Sequence, residues 1–276
     1  MCIIFINSSP IHEIKLIIAF NRDEVKTRPT LPAHLWADQH CYGGKDASPG
    51  GAVDGTWLGV SKSGKVSALL NVHNKGKGIL FSSDRSPRGG LVPGFLKHED
   101  SAEKYVEAIK EGNFNYFNLF MGEFKSSTPC LYVYDFFQDI LTSLPPGEHC
   151  FGNLPPDHCN TRAQFGKKIF SSLLETFAQQ QFPDMPSRDK YLVEQLFSML
   201  SDKTEIPVEE GLGGSFRHVF NEVYPLQVQN GNIEAGSVSS TVLIVDKMNN
   251  CHFSERTNFK SIGCDDEFVN FDWVVD

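Results

Sequence analysis

The chain has 276 residues, 40% of them apolar and 21% charged, an ordinary globular usage that excludes a disordered polymer and a fibre. Its 25 bases against 34 acids leave a net charge of −9, with no lysine or arginine block to track a phosphate backbone, which argues against a nucleic-acid partner. Seven cysteines, an odd number scattered over a long chain, fit reduced thiols in a cytosolic setting.

The apolar runs Cys2 to Ile6 and Leu16 to Phe20 are strand-length, well short of the roughly 20 residues of a membrane span, so no transmembrane segment is expected. Glu13 comes early and the first arginine is Arg22, unlike an arginine-rich presequence, so the amino end reads as mature structure. Ile3–Ile6 and Leu16–Phe20, joined by Asn7-Ser8-Ser9-Pro10, predict a hairpin of two buried strands. Further strands are predicted at Trp57–Val60, Val66–Val72, Phe117–Met121, Leu131–Phe137 and Ile140-Leu141.

Helical spacing begins at Gly90–Leu96 and strengthens at Ser101–Ile109, where Ser101 can cap. From Arg162 to Gln180 the residues Phe165, Ile169, Phe170, Leu173, Leu174 and Phe177 fall on one helical face, and Arg188 to Leu200 repeats the pattern. After the break Gly211-Leu212-Gly213-Gly214, strands resume at Thr241–Asp246 and Cys251–Ser254 around a turn at Met248-Asn249-Asn250. No internal repeat is visible, and the order β-rich, helical, β-rich predicts one layered α+β domain over 1–276.

Cys2 is the most suggestive single residue. A small residue at position 2 permits removal of Met1, leaving a thiol beside a free α-amine that can act as its base. The bland alternative is a cysteine that fills a core strand. Asn21-Arg22-Asp23-Glu24 emerges where the second apolar strand ends, next to the strand that carries Cys2, either as a surface turn or as part of a site. In a site, Arg22 would lower the thiol pKa, and Asp23 would hold the amine or orient the arginine. The couplets His149-Cys150 and His158-Cys159 are too widely spaced for a zinc knuckle, and no metal is expected. The glycines near 50–55 and 76–78 match no nucleotide-binding fingerprint; Lys75, Lys77, Arg85 and Arg88 form a basic stretch, read as a solvated loop or as a contact for propionate or phosphate groups.

Taken together, Met1-Cys2-Ile3-Ile4-Phe5, Asn21-Arg22-Asp23-Glu24 with Arg28-Pro29, and Gly55-Thr56-Trp57-Leu58-Gly59 resemble the NRDE-motif family named for transport and Golgi organisation. Leu69-Leu70-Asn71, Arg88-Gly89-Gly90-Leu91-Val92, Phe117-Asn118-Leu119 and Phe253-Ser254-Glu255-Arg256 continue the likeness in order along nearly the whole chain. The resemblance implies a four-layer αββα sandwich like that of N-terminal-nucleophile hydrolases. By it Cys2 would be the nucleophile flanked by Arg22 and Asp23, with Asn71 and Asn153 as oxyanion donors. It also implies haem mobilisation and trafficking in the cytosol and from haem-producing or haem-storing organelles such as mitochondria, with Cys2 and His73 as candidate axial ligands. An N-terminal-cysteine amidohydrolase and a factor for Golgi and secretory-pathway organisation are the alternatives, with haem or another hydrophobic small molecule as partner and peripheral organelle contact. Two departures stand out. Cys150-Phe151-Gly152-Asn153 keeps the asparagine of a Gly-Leu-Ser-Asn-like stretch but loses its serine, and Gly236-Ser237-Val238-Ser239-Ser240 has Val238 where the family tends to carry arginine.

Overall fold

The computed structural model describes residues 2–49, 52, 54–72, 81–157, 161–207, 216–218, 223–228, 231–257 and 268–275. The chain opens with β1 (Ile3–Asn7), β2 (Ile14–Val25), β3 (Thr30–Leu35), β4 (Cys41–Asp46), β5 (Leu58–Ser61) and β6 (Lys65–Asn71). Helices α1 (Leu91–Lys97) and α2 (Ala102–Ile109) precede β7 (Phe117–Glu123), β8 (Cys130–Asp135), β9 (Ile140–Leu144) and β10 (Glu148–Phe151). Helices α3 (Thr161–Ala178) and α4 (Met185–Leu200) follow, then β11 (Glu205–Pro207), β12 (Phe216–His218), β13 (Val223–Val228), β14 (Gly231–Asp246), β15 (Asn250–Thr257) and β16 (Phe268–Val274).

Two large antiparallel sheets result. One runs β10-β1-β2-β14-β15-β16, with β13 also paired to β14, so both ends of the chain build it; the other is the meander β3-β4-β5-β6-β7-β8-β9. Burial on both faces explains why Ile3–Ile6 of β1 and Leu16–Phe20 of β2 are continuous apolar runs. Ile4, Ile6, Ile18 and Phe20 point between the sheets, where they meet Leu58, Val66, Leu70 and Phe120. Ile3, Phe5, Ile17 and Ala19 point the other way, onto Phe170, Leu174, Leu192 and Leu196 of α3 and α4. Phe117, Leu119 and Met121 of the second sheet face Val92, Phe95, Tyr105 and Val106 of α1 and α2. Three cores separate four layers, helix, sheet, sheet, helix, which is the expected αββα sandwich.

The local differences have physical causes. Asn21–Glu24 is no turn: β2 continues through it to Val25, because β14 reaches ten residues further back than its apolar run and pairs with it. Helix α4 begins at Met185 instead of Arg188, since the Asp184 side chain caps it by accepting from Ser187 N at 2.7 Å. The glycine break at 211–214 lies outside the described residues. No described helix is long and apolar enough to cross a membrane.

Candidate functional site

β1 pairs with β2 so that Ile3 lies opposite Asn21, and one further step of that register sets Cys2 opposite Arg22. Even-numbered residues of β1, and of β2 from Leu16 onward, face the space between the sheets, so the Cys2 and Arg22 side chains share that side. The Cys2 Sγ is buried and lies 4.0 Å from the Asp23 carbonyl oxygen, to which the thiol points. Burial pushes the thiol pKa up, the nearby Asp23 adds to the rise, and Arg22 works against it.

Arg22 extends toward the second sheet. Its Nη1 donates to Thr30 Oγ1 at 2.7 Å, its guanidinium lies 3.9 Å over the Trp57 ring, and Nη2 is 4.0 Å from Glu24 Oε2. Beside it, Arg28 forks onto Asp46, with Nη2 at 2.6 Å and Nε at 3.1 Å. Burial would raise the Asp46 pKa, but the Arg28 bonds outweigh it and the carboxyl ends below its ordinary value.

Odd-numbered residues turn to the helices. The Asp23 carboxylate accepts from Ser237 Oγ of β14 at 2.6 Å and meets Arg162 Nη2 of α3 at 2.9 Å, both side chains of that ion pair being buried. Asn21 Oδ1 accepts from Ser240 Oγ at 2.6 Å, while its Nδ2 donates to the Leu200 carbonyl at 2.9 Å, closing the last turn of α4. The NRDE segment is thus a joint between two strands and two helices. Arg162 and Ser237, which complete it, carry no sequence signal of their own; the arginine on the buried face of α3 is the nearest to one.

Asn153 is buried, and its Nδ2 donates to the Asn71 carbonyl at the end of β6 at 2.6 Å. Asn118 of β7 fixes the loop beneath it by donating to the Leu154 carbonyl at 2.7 Å. The two asparagines expected together are therefore together, and one amide N–H of Asn153 is directed at Asn71 itself. Next along the chain, Val72 N and Arg88 Nη1 both donate to the Tyr116 carbonyl, at 2.9 and 2.8 Å. Gly89, whose carbonyl accepts from Thr56 N at 3.1 Å, packs so closely on Gly55 that a Cβ would sit 3.1 Å from the Gly55 Cα. Arg88 therefore belongs to the neighbourhood of Cys2, Arg22 and Trp57, and Cys2 acts on it electrostatically. Burial lowers its pKa to about 10.

Val238 marks the family departure structurally. Ser237 pairs with Asp23 and Ser239 with Arg22, so Val238 is the extra residue of a β-bulge. It lines a small recess with Lys26, Arg28, Thr30 and Glu255. His73, His158 and Cys159 lie outside the described residues. His149 Nε2 contacts the Pro145 carbonyl at 2.7 Å, and desolvation pushes the pKa of the half-buried Cys150 thiol up.

Fold and site together define a four-layer sandwich that presents a position-2 cysteine in register with an NRDE strand. A model of the family Transport and Golgi organisation 2 matches residues 1–260, and the chain belongs to that family. It is 29% identical over 285 residues to the Drosophila melanogaster Transport and Golgi organization protein 2, covering 93% of this chain and 92% of that one. The Bos taurus homolog is 30% identical over 271 residues and the Homo sapiens homolog 27% over 270, each covering 93% of both chains. Among solved structures, it is similar to a Caenorhabditis elegans ortholog of N-acylethanolamine-hydrolyzing acid amidase, with a TM-score of 0.48 and 13% identity over 88% of this chain and 92% of that one. A variant of the conjugated bile acid hydrolase of Clostridium perfringens matches with a TM-score of 0.45 and 10% identity, over 98% of this chain and 92% of that one.

Proposed function

We propose that the protein binds haem, or another largely apolar small molecule, over the Cys2 mouth and hands it on in the cytosol, where it visits haem-producing or haem-storing organelles such as mitochondria at their surface. Supporting this reading, the Cys2 sulfur lies opposite Arg22, whose positive charge works against the effect of burial and favours the thiolate that an axial cysteine presents. The same region is poorly equipped for acyl transfer: one Asn153 donor is directed at Asn71, and a valine occupies the bulge where an arginine would stabilise charge. Titration of the full chain with haem, followed at the Soret band, should give a saturable shift that Cys2→Ala weakens. A titration no different from that of the denatured chain would refute haem as the ligand.

One observation favours a second reading. The register that sets Cys2 opposite Arg22 at the start of β1 also suits an N-terminal-cysteine amidohydrolase, in which the freed α-amine takes the thiol proton as sulfur attacks an acyl carbon. Intact-mass measurement decides whether Met1 leaves. Turnover of N-acyl substrates that vanishes in Cys2→Ala would establish the chemistry. A part in Golgi and secretory-pathway organisation follows only from the family's name.

A further inference from the structure

The arginines around this mouth are not equivalent. Arg22 has Glu24, Arg28 has Asp46 and Arg162 has Asp23 as carboxylate partners. Arg88 is half-buried, yet the described residues give its five N–H donors a single polar partner, the Tyr116 carbonyl at 2.8 Å, and no carboxylate at ion-pair distance. The Glu24 carboxylate acts on it only from beyond ion-pair distance, and a half-buried guanidinium without a bonded counter-charge is unfavourable unless something supplies one. Its backbone is held firmly: Gly89 is bonded to Thr56 and pressed onto Gly55, and the Tyr116 carbonyl that receives Arg88 also receives Val72, next to Asn71. The charge is therefore presented at a fixed place beside the cysteine.

Resting on the reading that this mouth holds a ligand, we propose that Arg88 anchors the anionic end of that ligand, a carboxylate or a phosphate, while its apolar part lies toward Cys2. The planar guanidinium has two parallel N–H donors to offer such a group after keeping its bond to Tyr116. A neutral ligand of the same shape would leave the charge uncompensated and bind less well.

Two reagents of nearly equal size separate charge from shape. Iodoacetate and iodoacetamide both alkylate the Cys2 thiolate, sulfur displacing iodide after its proton passes to solvent, and mass spectrometry locates the product. The full-length wild type should favour iodoacetate relative to a short peptide carrying Cys2, and Arg88→Gln should reduce that preference about tenfold, the loss of one charge-assisted contact. Arg88→Lys, which keeps the charge but not the fork, should retain part of it. In parallel, thermal shifts are measured with decanoate, decyl phosphate and decanol. Either anion, but not decanol, should raise the wild-type melting temperature, the larger shift identifying carboxylate or phosphate as the preferred end, and Arg88→Gln should abolish the effect. An iodoacetate preference unchanged in Arg88→Gln, no shift with either anion, or a decanol shift equal to theirs would overturn the proposal. A missing Soret shift with haem would leave these outcomes intact and would refute only haem as the ligand.

Discussion

Arg162→Met removes the positive half of the buried pair that joins α3 to β2. The Asp23 side chain is 0% exposed and that of Arg162 4%, and their atoms are 2.9 Å apart, so the substitution leaves a carboxylate inside the protein that has lost its Arg162 partner and keeps the Ser237 bond. Breaking a buried pair from one side costs about 3–5 kcal/mol, and the surviving Ser237 bond places this case at the lower end, about 3 kcal/mol. For a chain of this size each kcal/mol moves the melting temperature by about 2–4 °C, so a fall of about 6–12 °C is expected by circular dichroism at neutral pH. The cause is the stranded charge, so Asp23→Asn added to Arg162→Met should recover at least half of the loss, giving a large coupling energy in the double-mutant cycle. A single-variant loss below about 1 kcal/mol, or strictly additive losses, would refute the claim that this pair holds helix to strand.

The Cys2 thiol, raised by burial, should ionise above the ordinary thiol range. Its alkylation by iodoacetamide should still be climbing at pH 9, and Arg22→Gln should shift the profile higher because the opposing positive charge is gone; a half-point below pH 8 would contradict the burial argument. Val238→Arg places a guanidinium on the bulge between the residues paired with Asp23 and Arg22. If hydrolysis is limited by that missing donor, typically worth a hundred- to a thousandfold, about 2.7–4 kcal/mol, the variant should show more N-acyl hydrolysis than wild type, and a Cys2→Ala, Val238→Arg double variant should show none.

Much of the sandwich was readable because its strands are apolar on both faces. Ile3–Ile6 and Leu16–Phe20 declare themselves without help from elsewhere, as do the stripes of α3 and α4. What stayed hidden depends on distant partners. Asn21–Glu24 looks like a turn until Ser237, Ser239 and Ser240 are set against it, and no local pattern announces that pairing. Gly43 and Gly44 lower the strand propensity of β4, yet a Cβ on Gly44 would lie 2.5 Å from the Trp57 ring, so the glycines are there to let the tryptophan in. β16 reads as a polar-apolar tail until Phe271 and Trp273 are seen packed on Tyr42, each with ring centroids 4.8 Å away. Within the candidate site, Cys2, Arg22, Asp23, Asn71 and Asn153 were named from sequence, whereas Arg162 and Ser237 required the fold. Arg88 was visible only as one base in a basic stretch. That no described carboxylate lies at ion-pair distance from it is a tertiary fact.

The shared sheet also governs how the protein is made. β2 lies between β1 and β14, and it waits for β14 through roughly 200 residues of synthesis, on the order of 10–40 s at ordinary elongation rates. During that interval the β1–β2 hairpin can form, but one long edge of it stays open, and the apolar faces that will meet α3, α4 and the second sheet are bare. The meander β3–β9 has no such wait, because each strand pairs with the next as it emerges. Nascent chains halted before β14 should therefore carry a finished meander beside a sticky, half-made partner sheet, the species most in need of a chaperone.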